Sequence, residues 1–196
     1  MQNILNEINN FWSSNIGHLN ENQRNKVIEL LLDLNPNYIL EIGFAGGRHT
    51  STALAACVNL KKMYSIDIDF DYMNGRHKID LIKNKFGDKI DFIEGDSNKL
   101  LNDDFFNEYF PYGIDYVFVD GCHTYNGAIQ DMRLCYPRLN DGGLMIVDDY
   151  MSGLPDGCNI PAVTNAVDDF SKENSININR WNLNGKGFAI FTKEKR

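Results

Sequence analysis

Five short apolar runs, Tyr38–Ile42, Lys62–Ile66, Ile90–Ile93, Ile114–Val119 and Gly143–Val147, are each followed by a longer stretch with helical spacing, near 47–58, 73–86, 97–107, 124–138 and 161–174. This alternation constrains the fold more than any other feature. A strand that returns through a helix comes back parallel to its predecessor, and a parallel sheet needs helices over both faces. The expected class is therefore α/β, a doubly wound and mostly parallel sheet. The tail breaks the pattern: Ile176–Leu183 and Gly187–Lys193 read as strands around Asn184-Gly185-Lys186, whose Asn-Gly pair is a hairpin signal. An antiparallel pair should complete a sheet of seven strands.

Upstream, Ile4, Ile8, Phe11 and Trp12 fall on one helical face, and Asn22–Leu34 repeats an amphipathic pattern. With 196 residues and no repeat, low-complexity tract or Pro/Gly-rich linker, the chain reads as one domain, a helical cap over 1–36 and an α/β core over 37–196. A net charge of -8 repels phosphate, which argues against nucleic acid and anionic membranes as partners. Cys57, Cys122, Cys135 and Cys158 contain no C-x-x-C pair and read as free thiols in a reducing compartment. Without a long apolar span or a signal-peptide pattern at MQNILNEINN, the expected location is cytoplasmic.

Ligands of open α/β sheets sit beyond the carboxyl ends of the strands, so the residues closing each run are the candidate site. After the first run, Gly43, Gly46 and Gly47 form a turn where backbone can approach a ligand. Their spacing is not G-x-G-x-x-G, and a dinucleotide dehydrogenase fits poorly. After the second, Asp67 is placed to accept from ribose hydroxyls, with Asp69 as a turn or cap residue. After the third, Asp96 reads either as an acceptor for an adenine amino group or as the N-cap of the next helix.

The fourth run ends at Asp120 within VDGCHTY, and the fifth at Asp148-Asp149. Two unit charges 4 Å apart repel by roughly 4 kcal/mol at an effective dielectric near 20, so three converging carboxylates should bind protons or a cation. Hard oxygen ligands favour magnesium or another divalent ion. His123, read as one helical turn from Asp120, is then a candidate general base. Its alternative is a surface histidine beside an Asp120 that caps a helix. His49 and His77 lack acidic company in the sequence: His49 reads as the start of a helix, and Arg76-His77-Lys78 as a solvated face.

In order, EIGFAGG, SID, GDS, VDGCHTY and GGLMIVDDY resemble the class I S-adenosylmethionine (SAM)-dependent methyltransferases, in particular a small branch whose fourth strand ends in V-D-G-x-H. The resemblance covers about residues 37–150. It implies a Rossmann-like seven-stranded fold with Glu41, Gly43, Phe44 and Gly47 around the methionine part of the cofactor, Asp67 at the ribose, and Asp96 with Ser97 at the adenine. It further implies Asp120 both beside the cofactor and, with Asp148 and Asp149, on magnesium, and His123 as the catalytic base. Where relatives often carry a small or polar residue after the glycine turn, this chain has Arg48-His49.

The implied activity is metal-dependent transfer of a methyl group to a hydroxyl of a small acceptor, a sugar or another polyol or diol. Two alternatives stay open: metal-independent methylation of nitrogen or another atom, and a non-catalytic cofactor-binding domain. Residues 150–162 read as a substrate-covering loop or an ordinary connection, and a homo-oligomer through the N-terminal helices is a further expectation.

Overall fold

The structure, a computed structural model, describes residues 19–151, 160–183 and 186–195. The helix expected around Ile4 to Trp12, the Asn184-Gly185 turn, Cys158 and most of the loop over 150–162 lie outside the described residues.

Helix α1 (Glu21–Leu34) opens on a capping box. The Asn20 side chain accepts from the Gln23 amide, and the Gln23 side chain accepts from the Asn20 amide, satisfying two donors that helix geometry leaves orphaned. It ends where Asn35 turns left-handed (φ 48°) ahead of Pro36, which cannot continue a helix.

The chain then alternates as β1 (Tyr38–Ile42), α2 (Arg48–Ala56), β2 (Lys62–Asp67), α3 (Gly75–Phe86), β3 (Ile90–Glu94), α4 (Ser97–Leu100), α5 (Asp103–Tyr109), β4 (Ile114–Val119), α6 (Tyr125–Cys135), β5 (Leu139–Val147), α7 (Ile160–Asn174), β6 (Asn179–Leu183) and β7 (Lys186–Thr192). The sheet has seven strands in the order β3-β2-β1-β4-β5-β7-β6. The first five pair in parallel, and β7 runs antiparallel between β5 and β6. The expected architecture is thus the observed one. The helix expected over 97–107 is two helices, because Asn102 starts a new one by accepting from the Phe105 amide.

Both sheet faces are covered, which explains why these strands read as continuous apolar runs. Along β4, Tyr116 and Phe118 point into the layer formed with Val27, Ile28 and Leu31 of α1 and Ala53 and Leu54 of α2. Val117 and Val119 point into the opposite layer, with Phe105, Phe106, Ala128, Met132, Val167 and Phe170. A fully buried aliphatic side chain contributes roughly 1.5–3 kcal/mol, so period-two alternation with apolar residues in both phases holds the sheet from two sides.

The register carries on past the strand ends. The Gly43 amide donates to Ile66 O (2.8 Å), Asp120 to Ile42 O (2.8 Å) and Asp148 to Val119 O (3.0 Å). Residues that follow β1, β4 and β5 therefore stand side by side on one rim. The order changes direction between β1 and β4, which is where such sheets leave a crevice.

Candidate active site

A cavity of about 470 Å³ opens at this crevice, within the size range of small-molecule sites. Gly43 and Ala45 line it from the first strand end, Asp67 from the second, Asp96 and Ser97 from the third, and Asp120 through His123 from the fourth.

Glycine is required at 43. Its φ is +94°, and a Cβ there would lie 2.0 Å from the Asp120 carbonyl oxygen, so a side chain would force the two strand ends apart. Asp67 anchors the loop that follows. Its Oδ2 accepts from the amides of Phe44 (2.7 Å) and Ala45 (3.0 Å), and its Oδ1 from that of Asp69 (3.0 Å). A carboxylate has about four lone-pair sites, so Asp67 keeps acceptor capacity for a ligand hydroxyl beside these three bonds.

Three residues assigned to the methionine end lie behind the cavity wall. The Phe44 ring is buried against Phe70 and Phe92, and Gly47 (φ +70°) backs onto that ring. Glu41 is fully buried, accepting from Thr50 Oγ1 (2.6 Å) and the Ser65 hydroxyl and pairing with His49 Nδ1 (2.7 Å). The first turn of α2 thus points its imidazole into the core, where it stacks on Phe118 (3.8 Å between centroids) and its Nε2 meets the Tyr116 hydroxyl (3.0 Å). His49, without an acidic neighbour in sequence, has one in space. Lys78 likewise departs from its expected solvated face and is buried, whereas Arg76 is exposed and pairs with Asp71 and Glu94.

At the far end Asp96 is the N-cap of α4, accepting from the Asn98 amide (3.1 Å), and it also lines the cavity. Ser97 Oγ donates to Asp131 Oδ1 (2.7 Å). Asp131 is fully buried, and burial pushes its carboxyl up to about 6, with the Asp96 charge adding to the rise and the Ser97 bond opposing it.

At the near end Asp120, His123 and Asp149 converge. One ligand atom from each lies within 4.8 Å of the others. His123 Nε2 is 3.1 Å from Asp120 Oδ1 and 3.4 Å from Asp149 Oδ2. The Asp120 hydrogen bond, against the opposing effect of burial and with help from both carboxylate charges, pushes the imidazole up to about 8. His123 lies in the loop before α6 rather than a helical turn from Asp120, and Thr124 caps α6 by accepting from Gly127. Asp120 therefore does not cap that helix. Asp148 points elsewhere: nearly buried, its Oδ1 accepts from Gln23 Nε2 (3.0 Å) and from the Asp149 amide (2.7 Å). The expected trio of aspartates is, as a cluster, two aspartates and a histidine. The two carboxylates suit a hard divalent cation such as magnesium, with the imidazole beside it free to exchange a proton; an imidazole bound as a third ligand would instead favour an ion such as iron or zinc.

Gln23 and Asp131 were not singled out from sequence. Gln23 touches a residue 125 positions away, which no local pattern reveals. Asp131 did leave a signal, since it occupies the core-facing stripe of α6 with Ala128, Met132 and Cys135. The described cysteines, Cys57, Cys122 and Cys135, are free thiols, and no described helix is long and apolar enough to cross a membrane.

Comparison with known proteins agrees with this fold. The family model described as a methyltransferase domain matches residues 40–150, more than half of the chain. An uncharacterized protein, R132, of Acanthamoeba polyphaga mimivirus is 41% identical over 59 residues, spanning 30% of this chain and 27% of that protein. An O-methyltransferase from Bacillus cereus, solved in complex with SAH (S-adenosylhomocysteine), superposes with a TM-score of 0.72 at 14% identity, covering 97% of this chain and 91% of that one. The O-methyltransferase TomG from Streptomyces achromogenes, solved with SAM, gives 0.72 at 14% identity over 96% and 87%. At such identities the likeness is one of fold. The chain belongs to the methyltransferase-domain family, with the architecture of the class I S-adenosylmethionine-dependent methyltransferases.

Proposed function

We propose that this protein methylates a hydroxyl of a small molecule, a sugar or another polyol or diol, using SAM and a divalent cation such as magnesium. The observation that carries the reading is the shared cavity: acceptors Asp67, Asp96 and Ser97 at one end, and Asp120 with His123 at the other. SAM supplies a sulfonium-bound methyl group to an in-line nucleophile, and a divalent cation supplies a Lewis-acid centre that makes a neighbouring hydroxyl more acidic.

The chain's own residues do the rest. Asp67 accepts a ribose hydroxyl, and Asp96 and Ser97 face the base. Asp120 and Asp149 hold the cation, with Asp148 fixing the loop through its bond to the Asp149 amide. Deprotonated His123 accepts the proton of the acceptor hydroxyl at Nε2. The small cavity and negative chain support a small acceptor over a polymer or nucleic acid.

A second reading has one observation in its favour: an imidazolium at His123 already places positive charge between Asp120 and Asp149. In that reading transfer is metal-free and goes to nitrogen or another atom. Calorimetry with SAH, with and without magnesium or manganese, followed by turnover on a panel of polyols and amines, separates the two. Metal-dependent turnover that is lost in Asp149→Ala and His123→Ala supports the first; turnover indifferent to chelator supports the second. No SAH binding at millimolar concentration rejects both.

A further inference from the structure

Ser97 has one hydroxyl hydrogen, and the structure shows where it goes. Ser97 Oγ donates to Asp131 Oδ1 across 2.7 Å, because an ionised carboxylate can only accept. Toward the cavity the same oxygen then has lone pairs and no hydrogen to offer. Asp96, its neighbour on the wall, presents a carboxylate, also an acceptor. Asp96 and Ser97 therefore offer side-chain acceptors at that end of the cavity, beside the Asn98 side-chain amide, which can donate or accept.

Asp131 is an expensive way to tie a loop to a helix. It is fully buried, and its Oδ2 has no hydrogen-bond partner among the described residues. That oxygen lies directly behind the wall, 3.5 Å from where a Cβ at Gly121 would stand, and Gly121, like Ser97, lines the cavity. Asparagine would span the same distance without a buried charge. What asparagine cannot do is guarantee the direction of the bond: its amide could donate to Ser97 Oγ and release the hydroxyl hydrogen into the cavity.

We infer that Asp131 is a positioning residue that holds Ser97 as an obligate acceptor, so that this end of the cavity selects a base carrying an exocyclic amino group over one carrying a carbonyl at the same place. The inference rests on the cofactor reading above and adds to it a residue that sets base specificity from behind the wall.

The test is calorimetric binding of SAH and of its deaminated counterpart, S-inosylhomocysteine, to the full chain at pH 8, for the wild type, Asp131→Asn and Ser97→Ala. A carbonyl oxygen facing two acceptors leaves mismatched groups, so the wild type should prefer SAH by at least about tenfold. Asp131→Asn should narrow that preference about fivefold or more by letting Ser97 donate. Ser97→Ala should narrow it as well, and Asp131→Asn added to Ser97→Ala should change the ratio no further. A purely structural role would weaken both ligands equally. An unchanged ratio in folded Asp131→Asn, or in Ser97→Ala, overturns the inference while leaving the cofactor reading intact. Failure of the wild type to bind SAH at all overturns the cofactor reading and this inference with it.

Discussion

Gln23 Nε2 donates to Asp148 Oδ1 across 3.0 Å, joining the first turn of α1 to the acidic pair that follows β5. The same Gln23 side chain accepts from the Asn20 amide, so one buried amide group both starts the helix and holds an acid at the cavity rim. Removing it leaves a buried carboxylate short of a donor, at a cost of about 1–3 kcal/mol. Gln23→Leu should lower Tm by several degrees and weaken binding of the divalent ion as followed by manganese titration. Gln23→Glu, which sets a second carboxylate against Asp148, should do both more strongly.

Gly43→Ala should be among the most damaging single-methyl additions. The new Cβ would meet the Asp120 carbonyl at 2.0 Å in a backbone conformation that already disfavours a side chain. A loss of at least about 2 kcal/mol in urea unfolding is expected, together with loss of SAH binding in calorimetry. Gly87→Ala is the control: φ is 60° and ψ -134° there, but nothing lies within 4 Å of the added Cβ, so about 1–3 kcal/mol should be lost to backbone strain alone with ligand affinity unchanged.

The Asp131 carboxyl is pushed from 3.8 up to about 6 by burial. The folded chain thus binds this proton more tightly than the unfolded chain, and the stability linked to it falls as pH rises from about 4 through about 6. Asp131→Asn removes that dependence. Its urea unfolding free energy should match the wild type near pH 4 and exceed it near pH 7 by on the order of 3 kcal/mol. Equal pH profiles for the two proteins would contradict the assignment.

His123 runs in the opposite sense. Its imidazole, pushed up to about 8 chiefly by the Asp120 hydrogen bond, stabilises the metal-free fold fully below the ordinary histidine value near 6.5, and that contribution is lost as pH rises through about 8. Its side chain is 44% exposed, so solvent screens the effect. In proton NMR of the metal-free protein, Asp120→Asn should bring the His123 midpoint down, and Asp149→Asn should lower it by less.

The fold was legible because strands buried on both faces leave unbroken apolar runs such as Tyr116-Val117-Phe118-Val119, and because Ile176–Leu183 and Gly187–Lys193 follow without a helix between them. The nearness of Asp120 and Asp149 was legible for a related reason: residues that end neighbouring parallel strands share a rim. What the sequence did not display was side-chain direction. Glu41 and Phe44 fall beside the glycine turn yet face away from the cavity, and His49 turns toward Glu41 because the first turn of α2 is packed against β4. Asp148 and Asp149 are adjacent, but the left-handed backbone at Asp149 (φ 59°) sends their carboxylates to different partners.

The change of strand order between β1 and β4 also divides labour along the polypeptide. The cavity-lining groups proposed to face the adenosyl end come from the segment before that seam, Asp67 to Ser97, and those proposed to face the cation from the segment after it, Asp120 to Asp149. Acceptor preference could therefore drift through substitutions near Asp120–His123 and Asp149, with Asp131 left in place behind Ser97, while the grip on the methyl donor stays constant. A scaffold partitioned this way can acquire new acceptors without relearning its cofactor.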